Sequence, residues 1–181
     1  SVAEHLLMLG DKPLHFIDTA GCGFEEVWEG TSLSNPEEAH FLVKQLEHFV
    51  TVLKPIYANK PFPSIGIISP YKHQVEVLKN LVQSSSELQE VAAAITVNTI
   101  DSFQGQERDA IFISLTRSNT DNVIGFLSEV RRMNVAMTRA RKKLVVIGDS
   151  ATLSNSDFYA DFIAYTQTHD AYQSAWELMD F

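Results

Sequence analysis

Two short stretches of this 181-residue sequence hold side chains whose types and order suit chemistry better than packing. The first is Thr99-Ile100-Asp101-Ser102-Phe103-Gln104-Gly105-Gln106-Glu107-Arg108-Asp109. It opens on a small hydroxyl residue and sets Gly105 shortly before Glu107, and glycine lets a backbone approach a ligand closely. The second is Arg131-Arg132-Met133-Asn134-Val135-Ala136-Met137-Thr138-Arg139-Ala140-Arg141, with four arginines. A guanidinium is planar and permanently charged. Taken singly, each residue has a plainer reading. The arginines could be a solvated helix face favoured by the helix dipole, Glu107 a surface acid, Thr99 a strand residue and Gly105 a turn.

Positioning these groups is the work of alternating strands and helices. Leu14–Asp18 reads as a short strand leading into a glycine-rich loop, and Phe24 to Ser34 as polar and irregular chain. Asn35-Pro36-Glu37-Glu38 has the order of a helix start: a capping asparagine, proline at the first helical position and two acids at the positive end of the dipole. Apolar residues then recur at helical spacing from Ala39 to Leu53, and Pro55 ends the run. Ile65–Ser69 is apolar throughout, as a strand buried in a parallel sheet should be. A helix follows it, broken at Ser84–Ser86. Ile95–Asn98, Ala110–Thr116 and Leu144–Gly148 are further strands, Ser128–Arg141 a helix and Asp157–Thr168 a last amphipathic helix. Strands alternating with helices predict an α/β fold, a parallel sheet covered on both faces, with function at the carboxyl ends of the strands. Ser69-Pro70-Tyr71, Thr99–Glu107 and Arg117-Ser118-Asn119 follow strands and are candidates on that ground.

Bulk properties narrow the function classes. With 45% hydrophobic and 20% charged residues, the chain reads as one globular domain over residues 1–181. Cys22 is the only cysteine, which rules out an intramolecular disulfide and argues against a zinc cluster. The single thiol and the lack of a signal-peptide pattern fit a cytoplasmic protein. A net charge of −9 opposes any grip on nucleic acid by bulk electrostatics, so basic groups must be concentrated locally or supplied by a partner.

Phe103-Gln104-Gly105-x-Glu107, followed by the arginine stretch, resembles motifs V and VI of superfamily one helicases. More narrowly it is similar to the branch that holds the up-frameshift and immunoglobulin-mu-binding helicases. Ile68–Gln74 resembles their motif IV region, Ile17–Gly23 the opening of their second motor domain, and Ile124–Leu127 the segment before motif VI. The resemblance implies a RecA-like fold of the P-loop NTPase type. It also implies that Arg139 is the arginine finger, and that Glu107 and Gly105, with Arg141 and Arg132 as weaker candidates, face ATP. Thr99, Ser69, Pro70, Tyr71, Arg117, Ser118 and Asn119 are implied to face a single strand, DNA ahead of RNA, with Gln74 as a weaker candidate or a buried helix residue. One place departs from some members, which carry a γ-phosphate arginine where Pro36 stands; the immunoglobulin-mu-binding type lacks it too. No G-x-x-x-x-G-K-[ST] occurs in the sequence. The phosphate loop and the Mg2+ carboxylates are therefore expected on an upstream RecA-like domain, and the chain reads as a piece excised from a larger ATP-dependent helicase. The alternative is a nucleic-acid-binding or scaffold domain without ATPase activity.

Overall fold

Strand periodicity sorts the apolar residues onto two faces. In a computed structural model that describes residues 12–103 and 106–179, six strands form one parallel sheet in the order β5-β4-β6-β7-β1-β8. They are β1 (Leu14–Asp18), β4 (Ile65–Ser69), β5 (Ile95–Thr99), β6 (Arg108–Ser114), β7 (Ala140–Gly148) and β8 (Tyr172–Ser174). Ile17, Ile67, Phe112, Val145 and Ile147 point to one face, into a core shared with Leu42, Leu46, Phe49 and Leu78. Their strand neighbours Phe16, Ile68, Ile111, Ile113 and Val146 point to the other, against Met133, Ala136, Leu153 and Tyr159. Both faces are thus covered, as the unbroken apolar runs require.

The first face is covered by α1 (Pro36–Leu53), α2 (Lys72–Ser84) and the single turn α3 (Ser86–Gln89); the second by α4 (Val130–Met137), α5 (Ser150–Leu153) and α6 (Asp157–Thr168). The α1 cap is the one expected: Asn35 Oδ1 accepts from the Glu38 N–H at 3.0 Å, and Pro36 opens the helix. No helix among the described residues is long and apolar enough to cross a membrane.

Several expectations need correction. Residues 24–34 are not irregular: β2 (Val27–Glu29) and β3 (Ser32–Ser34) form an antiparallel hairpin. Its pairing registers Val27 with Ser34 and Trp28 with Leu33. The helix expected over Ser128–Arg141 is shorter. A 3-10 turn covers Gly125–Ser128, α4 ends at Met137, and Arg141 already lies in β7. Residues from Ala140 onward are taken by sheet pairing, Ala140 opposite Arg108 and Leu144 opposite Leu14, which outcompetes helical continuation. β8 was not foreseen; it adds Tyr172–Ser174 beside Phe16–Asp18 at the sheet edge. The candidates also do not all lie at the carboxyl ends of the strands. Glu107, Arg139 and Arg141 sit at the amino ends of β6 and β7, because the chain must return there before each strand begins.

Candidate functional site

At the carboxyl ends of β4 and β6 a buried polar network fixes the chain. Glu38, fully buried, accepts from Ser114 Oγ at 2.7 Å and from the Thr116 N–H at 2.8 Å. Gln74 Nε2 donates to the Asn35 carbonyl and to Ser114 Oγ, both at 3.0 Å, while its Oε1 accepts from the Asn35 N–H at 2.9 Å. Gln74 is therefore a buried helix residue that ties α2 to the start of α1, and it is not offered to a ligand. Ser69 is equally enclosed, its Oγ shared with Thr116 Oγ1 and the Tyr71 N–H. Burial pushes the Glu38 carboxyl up to about 7, against the opposing effect of the two hydrogen bonds.

A second network stands beside it. Arg117 is buried and pairs through Nε and Nη2 with the two carboxylate oxygens of Glu26, at 3.0 and 3.2 Å. Burial alone would raise the Glu26 carboxyl, but bonds from Arg117, Asn119, Trp28 and the Ser118 N–H outweigh it and hold it below the ordinary value. Arg117 Nη1 donates to Tyr71 Oη at 3.2 Å. That hydroxyl also accepts from the Phe126 N–H and donates to the Ile124 carbonyl. Gly125 lies at φ +52°, and a Cβ there would strike the Arg117 guanidinium and approach Tyr71 Oη to 2.9 Å, so glycine lets the chain lie on this pair. Ser118 Oγ donates to Asp149, and Asn119 closes a loop on Val123. Arg117, Ser118 and Asn119 therefore build the site through internal bonds; their side chains are spent on Glu26, Asp149 and the loop.

Above these networks opens a groove of about 580 Å3. Pro70, Tyr71, Thr99 and Arg117 line it, and so does Arg132, which the sequence groups with the nucleotide residues. Arg132 is held there by Asp101 at 2.7 Å and Glu129 at 3.0 Å. Sequence reasoning missed two other lining residues, Trp28 and Phe126, whose rings are 55% and 53% exposed. A lone tryptophan in an acidic, polar stretch was the available signal.

The other candidates meet at the opposite end of the sheet. The Arg108 N–H donates to the Arg139 carbonyl at 2.9 Å, which brings the start of β6 against the turn after α4. Arg141 pairs with Glu107 at 3.3 Å and with Asp109 at 3.6 Å. Arg139 has no carboxylate partner among the described residues. Its Nε donates to the Val135 carbonyl at 3.1 Å, which leaves the side chain half-buried, less open than expected of a free finger. Gly105 lies outside the described residues. Among them no cluster of His, Cys, Asp or Glu is suited to hold a metal ion.

Comparison with known proteins matches residues 3–151 to a family described as AAA domain. DNA-binding protein SMUBP-2 of Rattus norvegicus is 36% identical over 192 aligned positions, covering 99% of this chain and 18% of that protein. DNA polymerase alpha-associated DNA helicase A of Saccharomyces cerevisiae is 39% identical over 78% of this chain and 20% of its own length. Regulator of nonsense transcripts 1 of Dictyostelium discoideum is 37% identical over 84% of this chain and 11% of its own length. The chain thus spans a fifth or less of the length of these curated relatives. By its parallel sheet, its motif order and this match, the chain belongs to the AAA domain family, as a second motor domain of the superfamily one helicase type.

Proposed function

We propose that this chain is the second motor domain of a longer ATP-dependent nucleic-acid helicase, with Arg139 as its arginine finger and the groove as part of its single-strand track. The observation that carries this reading is the placement of two segments. Thr99, Phe126 and Arg132 line the groove, while Glu107 and Arg139, which belong to the same two motif segments, lie at the far end of the sheet. Phosphoryl transfer spreads negative charge over the γ-phosphate oxygens, and a positioned guanidinium stabilises that charge with little reorganisation. Arg139 suits the role because no carboxylate among the described residues neutralises it. Arg141 is paired with Glu107 and holds that acid toward the same end. The phosphate loop and the Mg2+ ligands belong, on this reading, to an upstream RecA-like domain. Two of the three relatives named above are named for DNA, which supports DNA ahead of RNA as the strand.

The test is ATP turnover by the full-length protein with and without a single-stranded oligonucleotide. A helicase motor shows turnover stimulated by the strand. Strand binding without any turnover would instead favour a nucleic-acid-binding or scaffold domain.

A further inference from the structure

The two exposed rings of the groove share one construction. Trp28 has the Arg117 guanidinium carbon 5.7 Å from its ring centroid, and its indole N–H donates to Glu26 at 2.8 Å. Phe126 lies stacked on Tyr71, centroids 5.3 Å apart and planes 22° from parallel. The two backing groups, Arg117 and Tyr71, are both buried and hydrogen-bonded to each other. Each ring is therefore braced from behind by one rigid pair, while about half its surface stays open. Ordinary exposed aromatics are not held in this way, and rings fixed before binding lose little entropy on contact.

The surroundings decide what such rings can hold. Lys72, His73 and Arg132 stand on the same groove with Thr99 and Asp101; Arg132 is paired with Asp101 and Glu129, which leaves Lys72 as the groove cation with no carboxylate partner among the described residues. His73 approaches Glu29 of the hairpin at 3.8 Å. A flat π-face beside the Lys72 ammonium and the Thr99 hydroxyl suits a nucleobase on its phosphate backbone, because every base offers a π-face to an aromatic platform. It suits an aliphatic peptide less well.

We propose that Trp28 and Phe126 form a base-stacking site, in which bases of the bound single strand lie against rings held by the Arg117–Tyr71 pair. This rests on the groove being part of a strand track, and it adds a base-reading contact to the backbone contacts of that track. The hairpin that carries Trp28 then acts as an arm of the track.

The test uses the full-length protein, an oligothymidylate and an abasic oligonucleotide of the same length. Trp28→Ala and Phe126→Leu should each weaken oligothymidylate binding by about tenfold, in the range set by single stacking contacts. Affinity for the abasic strand should be unchanged, as should the slope of affinity against salt, because phosphate contacts are intact. Trp28→Tyr should restore most of the loss, and matching thermal melts exclude unfolding as its cause. Equal losses on abasic and intact strands would overturn the proposal, as would unchanged binding by both variants, which would leave the rings to a protein partner. If the wild-type protein binds no strand at all, the helicase reading itself fails, a different result from either of these.

Discussion

Glu38 shows what one buried carboxyl does here. One of its oxygens holds the Thr116 N–H and the Ser114 hydroxyl, and the other is buried without a partner among the described residues. Thr116 sits at φ 74°, a conformation costly for a β-branched residue, and the Glu38 bond helps hold it there. Burial raises the folded carboxyl from its ordinary 4.5 to about 7. The folded state therefore holds this proton to higher pH than the unfolded chain does. The resulting stability is fully present below about pH 4.5 and is lost as pH rises through 7, roughly 3 kcal/mol in all for a shift of this size. His15 acts in the opposite sense, since burial and Lys143 disfavour its charged form. The difference between wild type and Glu38→Gln isolates the carboxyl. Urea unfolding at pH 5 should show the variant less stable, because its amide sets two N–H donors where the protonated carboxyl sets one O–H and no acceptor stands among the described residues, and the gap should shrink or reverse by pH 8. A constant gap across that range would contradict the ionisation of Glu38.

At the scale of elements, a buried ion pair helps hold the hairpin to the sheet. Glu26, just before β2, meets Arg117, which follows β6, with side chains 7% and 5% exposed. Removing one member leaves the other charge buried and unpaired, so Arg117→Met should cost about 3–5 kcal/mol in denaturant unfolding. A cost below about 1 kcal/mol would place the pair with exposed salt bridges. This is also where the sequence was hardest to read. Ile65–Ser69 and the α1 cap could be read from local residues alone, because an apolar run and an Asn-Pro start have local causes. The hairpin has three-residue strands and an acidic surface, and what orders it is a partner about ninety residues away. Arg117 looked like a surface contact for the same reason: nothing local reveals that Glu26 is waiting for it. Arg141 reads as the end of a helix from the pattern of Ser128–Arg141, whereas pairing between β6 and β7 draws it into a strand. By contrast, Thr99, Pro70 and Tyr71 were legible, since strand ends next to turn residues mark groove positions in a parallel sheet.

For the whole molecule, the sheet separates the groove from the Glu107–Arg139 region. The groove lies past the carboxyl ends of β4 and β5, and the Glu107–Arg139 region lies at the amino ends of β6 and β7. The Arg132–Asp101 bridge ties the two motif segments together at the groove. A chain with a net charge of −9 and no phosphate loop should turn over no ATP by itself and should bind a single strand no tighter than about micromolar at physiological salt. Phosphate-release and fluorescence-anisotropy assays on the 181-residue chain check both points. The central claim, that this domain completes an ATP site with Arg139, is tested most directly in the full-length protein carrying Arg139→Ala. Strand-stimulated turnover should fall by about a thousandfold or more. ATP affinity, strand affinity and thermal stability should stay near wild type, and Arg139→Lys should restore little, since an ammonium lacks the planar fork. Near-normal turnover in Arg139→Ala would contradict the account.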